Sequence, residues 1–268
     1  MDITRFAEVD LTPGARFFVD LMDVANAQPD VRRLKPLVAE QLRLSPRARV
    51  LEVGCGTGDD TRLLASLVGE TGQVVGIDAS QTMIDVARER SRASSLPVEF
   101  ALCDVCALAF PDNTFDACRC ERVLMYGDSE PACGIAEMVR VTRPGGRVVI
   151  SDFHWDALAI DHPDRAATRA VVHAVCDGIR YGWVGIQLPR LMADAGLIEI
   201  KVESHAARIT YPVFRHAFHG PLAQAQQAGH LSEAEISEWW RPLDKAESAG
   251  AFMASIMAFI TTGTVADQ

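Results

Sequence analysis

Positive charge is scarce in this sequence. Among 268 residues, 26 Lys and Arg stand against 36 Asp and Glu, a formal net charge of −10. Nucleic-acid backbones are bound through clustered Lys and Arg. The densest basic group, Arg32-Arg33-Leu34-Lys35, reads as the solvated face of a helix, so no nucleic-acid partner is expected. Long hydrophobic runs are missing too. The opening Met1-Asp-Ile-Thr-Arg-Phe6 lacks the apolar stretch of a signal peptide. The apolar segment at 251–266 is interrupted by Ser255, Thr261, Thr262 and Thr264, too short and too polar to cross a bilayer. These absences predict a cytoplasmic chain with no membrane partner. Repeats, low-complexity tracts and Pro/Gly/Ser linkers are also absent, and 49% hydrophobic residues suffice for the core of one domain over 1–268. The seven cysteines are odd in number, which suits reduced thiols rather than a disulfide framework. Cys103-x-x-Cys106 and Cys118-x-Cys120 have spacings that can hold zinc. The second pair falls in a strand-like run, however, and the first flanks a turn, so buried small hydrophobes are expected and no metal.

What is present is a regular alternation. Apolar spacing predicts helices over 15–27 and 31–43, followed by strands at 48–53, 73–78, 98–102, 115–120 and 147–152, with helices at 59–68, 80–94 and 130–142. Such alternation implies an α/β fold, a doubly wound and mostly parallel sheet covered on both faces. Beyond residue 152 the pattern loosens. Asp161-His-Pro-Asp164 reads as a helix start with Pro163 near the first helical position, and this helix runs to about 177. A loop at 180–185, a helix at 187–195, a strand at 198–204, helices at 213–228 and 232–249, and a closing strand at 251–262 follow, giving seven strands in all. Residues 45–152 form the expected binding core. Segments 1–44, 153–186 and 205–250 are expected as helical cap or lid elements, the last two being too long for plain connections.

The most informative stretch is Val50-Leu-Glu-Val-Gly-Cys-Gly-Thr-Gly58. A strand ending in glycines lets a ligand lie against bare backbone. The dinucleotide fingerprint G-x-G-x-x-G needs glycine at 59, where Asp59 would repel a pyrophosphate. A nicotinamide oxidoreductase is disfavoured on that ground. In open parallel sheets ligands bind beyond the carboxyl ends of the strands, and three further segments meet there. Asp78 ends the second strand, 20 residues after Gly58, a distance suited to a carboxylate accepting ribose hydroxyls, although alone it could equally cap the next helix. Cys103-Asp104-Val105 leaves the third strand, and Cys120-Glu121-Arg122 leaves the fourth.

With these motifs the chain resembles the class I S-adenosylmethionine-dependent methyltransferases, whose first motif reads acidic-x-G-x-G-x-G. The resemblance covers about 45–152 and is nearest to the small-molecule methyltransferases of ubiquinone and menaquinone biosynthesis. It implies a Rossmann-like fold and S-adenosylmethionine as cofactor, with Glu52, Gly54, Cys55, Gly56 and Gly58 at the turn. It further implies Asp78 and Ala79 at the ribose, Met83 on the adenine face, and Asp104 and Val105 at the adenine edge. Cys120 and Glu121 would lie at the methionine end. Val141-Thr-Arg-Pro-Gly-Gly146 matches the family's structural turn before the fifth strand. No Asn/Asp-Pro-Pro-Tyr motif follows the fourth strand, which favours oxygen or carbon over amino nitrogen as the acceptor. His154 and Tyr126 are the candidate bases, and Phe18, Tyr126, His154, Trp155, Tyr181 and Trp183 the candidate wall of an acceptor pocket. The expected partner is a small-molecule substrate, with a homo-oligomer left open. A non-methylating role of the same fold, cyclase-like or regulatory, is the alternative.

Overall fold

A computed structural model describes residues 3–11, 14–127 and 129–267. A 3-10 segment, Ile3–Leu11, leads into helices α1 (Ala15–Asn26) and α2 (Pro29–Gln41). Then come β1 (Arg49–Val53), α3 (Asp59–Val68), β2 (Gln73–Asp78), α4 (Gln81–Ser91), β3 (Val98–Leu102), β4 (Phe115–Glu121), α5 (Pro131–Val141) and β5 (Thr142–Ile160). The chain finishes with α6 (Arg165–Gly178), α7 (Val184–Asp194), β6 (Leu197–Arg208), α8 (Tyr211–Gln227), α9 (Glu233–Ser248) and β7 (Ala254–Val265). The seven strands form one sheet in the order β3-β2-β1-β4-β5-β7-β6, parallel except that β7 runs antiparallel to both its neighbours. Strand order reverses between β1 and β4, which opens the crevice where open α/β sheets bind ligands. No helix among the described residues is long and apolar enough to cross a membrane.

Local chemistry sets most boundaries. β1 is Val50-Leu-Glu-Val53, buried on both faces as a central parallel strand must be. Asp59 and Asp60 open α3 and complement its dipole. The Ser80 hydroxyl accepts from the Met83 N–H and starts α4, while Ser232 and Glu235 form a reciprocal capping box at α9.

Three expectations need correction. The predicted fifth strand, 147–152, runs on to Ile160, because β7 offers a ladder that pairs Arg147 with Thr264 and Ile160 with Ala254. The start of the expected helical insertion at 153 is therefore strand. β6 likewise extends to Arg208, paired with Ser255, so 205–208 is strand too, and the last strand lies at 254–265 rather than 251–262. Pro163 does not open α6. Asp164 is its N-cap, its carboxylate accepting from the N–H groups of Ala166 and Ala167 at 2.9 Å, and helix begins at Arg165.

Candidate functional site

The turn after β1 depends on glycine. Gly54, Gly56 and Gly58 have φ of +68°, +51° and +80°, the left-handed region that side chains resist. A Cβ on Gly54 would meet Val123 Cγ2 at 2.1 Å, and one on Gly56 would meet Met22 Cε at 2.2 Å. The backbone of Gly54 and Gly56 lines a cavity, with the Val123 side chain and the end of a flexible methionine from α1 lying against it. Asp78 closes the neighbouring strand. Its carboxylate accepts the Gly56 N–H and the Ser80 N–H, each at 2.9 Å. Burial pushes this carboxyl above its ordinary range, against those two bonds. From the N-terminal segment, Asp10 accepts from the Ser80 hydroxyl (2.9 Å) and from the N–H groups of Gln81 (2.7 Å) and Thr82 (3.1 Å). One aspartate thereby clips the 3-10 segment onto the start of α4.

The cavity beyond the strand ends measures about 370 Å³. Of the residues singled out from the sequence, Gly54, Gly56, Asp78, Ala79, Met83, Asp104, Val105, Glu121, Tyr126 and Trp155 belong to its wall. Much of its remaining lining is apolar, supplied by Phe6 and Val9 of the 3-10 segment, Phe153 of β5, Phe214 and Phe218 of α8 and Ile256 of β7, with Gln28, Arg122, Glu130 and Arg208 among its polar members. Phe214 and Phe218, one helical turn apart, stack with centroids 4.2 Å apart.

Eight expected residues lie outside that wall. Cys55 and Cys120 are buried beneath it, and Gly58 faces the Phe100 ring. Phe18 is buried behind it, its ring 5.0 Å from Phe6 and 5.3 Å from Phe17. Strand alternation turns His154 away, because Phe153 and Trp155 take the cavity face. The His154 ring instead meets Trp183 at 5.3 Å, and burial lowers its pKa from the usual imidazole value. Trp183 is 51% exposed. Tyr181 donates its backbone N–H to the Met125 carbonyl at 3.1 Å, bracing the wall from outside.

Glu52 is the eighth, and it leads to the feature that sequence reasoning missed. Cross-strand register places it opposite Arg119 of β4, and the two side chains pair in full burial, 3% and 1% exposed. Arg119 also pairs with Glu121 and lies 3.4 Å from Asp60. Lys35 of α2 binds Asp60 at 2.5 Å, and Arg122 lies 3.3 Å from Glu121. Arg122 donates to Asn26 Oδ1 (2.8 Å), and Asn26 in turn donates to Asp59 (3.1 Å). Four carboxylates, three cations and Asn26 thus interlock under the glycine turn and tie α1, α2 and α3 to it. Burial pushes the Glu52 carboxyl up to about 7 despite Arg119. Burial also disfavours ionised Asp60, but Arg119 and Lys35 outweigh it and hold that group at about 2. The signal was present in the sequence: Arg119-x-Glu121 puts both side chains on one strand face.

Chemically, the wall fits a nucleoside. It combines backbone that any Cβ would obstruct, a carboxylate on a neighbouring strand end, and a second acid, Asp104, beyond β3. Residues 50–146 match the family model described as a methyltransferase domain. Over 252 residues, 90% of this chain and 70% of the relative, the sequence is 34% identical to an uncharacterized 37.1 kDa protein of transposon TN4556 from Streptomyces fradiae. It is 36% identical over 141 residues to the ubiquinone/menaquinone biosynthesis C-methyltransferase UbiE of Burkholderia cenocepacia, a match spanning 52% of this chain and 58% of that enzyme. Among solved structures, the 4+2 cyclase SpnF superposes with a TM-score of 0.56 at 27% identity, covering 88% of this chain and 82% of that one. With sequence and site in agreement, residues 50–146 form a methyltransferase domain of the class I S-adenosylmethionine-dependent kind, and S-adenosylmethionine is its cofactor.

Proposed function

We propose that this enzyme methylates an oxygen or carbon atom of an apolar small molecule. The observation that carries the reading is the continuity of the cavity, in which the glycine turn and Asp78 at one end open directly onto Phe153, Trp155, Phe214 and Phe218 at the other. When bound, S-adenosylmethionine supplies a sulfonium methyl as the electrophile. The protein's part is to align and to desolvate. Gly54 and Gly56 give backbone for close approach, Asp78 holds the ribose hydroxyls, and Asp104 with the Val105 N–H reads the adenine edge. Met83 packs on the adenine, and Glu121 borders the methionine end. The apolar half excludes water and positions an acceptor within about 3–3.5 Å of the methyl. Tyr126, whose ring lies 5.2 Å from Phe6, carries the phenolic group nearest in kind to a base for a hydroxyl or acidic carbon. The 3-10 segment, α1 and α8 act as the cap over both ligands, with Met22 moving aside from Gly56 on cofactor entry.

The likeness to SpnF favours a second reading, in which the cofactor is bound but the acceptor is reshaped without methylation. Labelled S-adenosylmethionine separates the two. Transfer of label to an apolar phenol or enolisable ring compound supports the first. Conversion of an apolar polyene with no label in the product supports the second and sinks the first. Asp78→Ala checks the cofactor half. Loss of charge-assisted bonds is expected to weaken binding by about 1–3 kcal/mol in calorimetry, and unchanged affinity would refute the ribose assignment.

A further inference from the structure

Four of the cysteines are buried, at 55, 118, 120 and 176; Cys103 and Cys106 are half-buried and Cys133 is exposed. Two of these come together. The Cys133 thiol, in the first turn of α5, reaches the Cys106 carbonyl oxygen at 3.8 Å. Cys106 lines the cavity, as do Pro131 and Gly134 on either side of Cys133. The approach is close because Gly134 has no side chain: a Cβ there would meet Val105 Cγ2 at 2.8 Å. The loop after β3 therefore lies flat on α5, carrying Asp104 with it. The Asp104 carboxylate is fixed from inside this loop, accepting the Cys106 N–H at 2.8 Å.

We propose that Cys106 and Cys133 form a peroxide-sensitive disulfide that couples the oxidation state of the protein to cofactor affinity. A hydroperoxide is the oxidant. The exposed Cys133 thiolate attacks a peroxide oxygen, the O–O bond breaks, and sulfenic acid forms as the alcohol or water leaves. The Cys106 sulfur then attacks the sulfenic sulfur and expels water, so two thiols and one peroxide give one disulfide, with both electrons taken by the peroxide oxygens. The order of attack follows from environment. Cys133 is exposed to a peroxide and Cys106 is half-buried, and burial and the neighbouring thiol push the Cys106 thiol up, so Cys133 initiates. Bond formation draws the sulfurs together to about 2 Å and turns the Cys106 backbone that orients Asp104. Affinity for the nucleoside then falls. Linkage requires the reciprocal effect: bound nucleoside shifts the pair toward thiols by the same factor.

This rests on Asp104 reading the adenine, and the test keeps the two ideas apart. The purified full-length chain is treated with hydrogen peroxide and digested without reduction, and its peptides are mapped by mass spectrometry. A Cys106–Cys133 linked peptide that dithiothreitol reverses is expected, together with an affinity for S-adenosylhomocysteine about tenfold weaker than in the reduced protein. Excess S-adenosylhomocysteine should retard the linkage. Cys133→Ser should abolish both the link and the peroxide effect while binding as the reduced wild type does. Overoxidised Cys133 without a link, linkage to another cysteine, or a link that leaves affinity unchanged would overturn the proposal. Asp104→Ala in the reduced protein tests the adenine assignment separately, since the mapped bond does not depend on it.

Discussion

Under the glycine turn the protein has neutralised its own charges, with Arg119 set among Glu52, Asp60 and Glu121, whereas around Phe214 and Phe218 the lining is mostly hydrocarbon, with Arg208 among the few charged residues of the same cavity. The two halves of one cavity are thus held by different forces. Buried ion pairs repay their desolvation only in a well-defined geometry, which suits a ligand whose shape never changes. Packed aromatic rings tolerate substitution more readily, which suits the end where related enzymes differ in acceptor. The comparison also assigns each half its own failure mode.

The largest effect is expected from breaking the ion cluster. Arg119→Met leaves Glu52 buried without its cation and Glu121 with Arg122 alone, and removing one partner of a buried pair costs about 3–5 kcal/mol. Urea unfolding should register this loss at neutral pH, and cofactor affinity should fall with it. Adding Glu52→Gln should restore part of the stability, because it removes the orphaned charge. A single variant as stable as wild type would show that the cluster contributes no net stability. On the apolar side, Phe214→Ala removes a fully buried ring stacked on Phe218, at a cost of about 3 kcal/mol. Here the acceptor KM should rise while cofactor affinity holds. Equal losses in both would erase the distinction between the halves.

That division also explains what was legible beforehand. The bounds of α3, β2 and β3 coincide with those expected from the sequence, at 59–68, 73–78 and 98–102, because short apolar runs closed by Gly or Asp are local signals. Gly54, Gly56, Asp78 and Asp104 stand at or just past the ends of three separate strands, and they line one cavity because parallel neighbours end on the same side of the sheet. β5 was read too short because its partner from 153 onward is β7, about a hundred residues later in the chain. Arg119 sits in a cysteine-rich strand and looks like an interruption until Glu52, Asp60 and Lys35 arrive from three other elements. Phe214 and Phe218 showed helical spacing, but which cavity that face covers is a tertiary fact.

Acidity offers a finer probe of the charged side. Asp152, midway along β5, is fully buried, with one carboxyl oxygen unpartnered among the described residues. Burial pushes it from 3.8 to about 7. Between those values the folded protein holds a proton that the unfolded chain has released, so stability falls as pH rises through this window. Glu52 acts in the same direction; Asp60, held at about 2, acts oppositely and only as pH drops below its ordinary 3.8. Asp152→Asn should flatten the decline between pH 4.5 and 7 by up to about 1.4 kcal/mol per pH unit, measured by chemical unfolding at each pH. Parallel curves for variant and wild type would mean that Asp152 ionises normally.

The smallest effect is expected at His154, and its smallness is informative. The histidine follows the fifth strand's parallel core, where a base would be sought from sequence, yet its ring lies edge-on to Trp183 while Phe153 and Trp155 face the cavity. A general base must reach the proton it removes within hydrogen-bond distance or through one water, and a side chain on the opposite strand face cannot do so without the strand itself turning. His154→Ala should therefore leave kcat/KM within about twofold of wild type and stability within about 1 kcal/mol. Tyr126→Phe, on the cavity side, should lower kcat if the acceptor is a hydroxyl. A hundredfold loss at His154 with Tyr126→Phe silent would reverse the assignment of the two faces of β5, and with it the boundary drawn between the walls of the site.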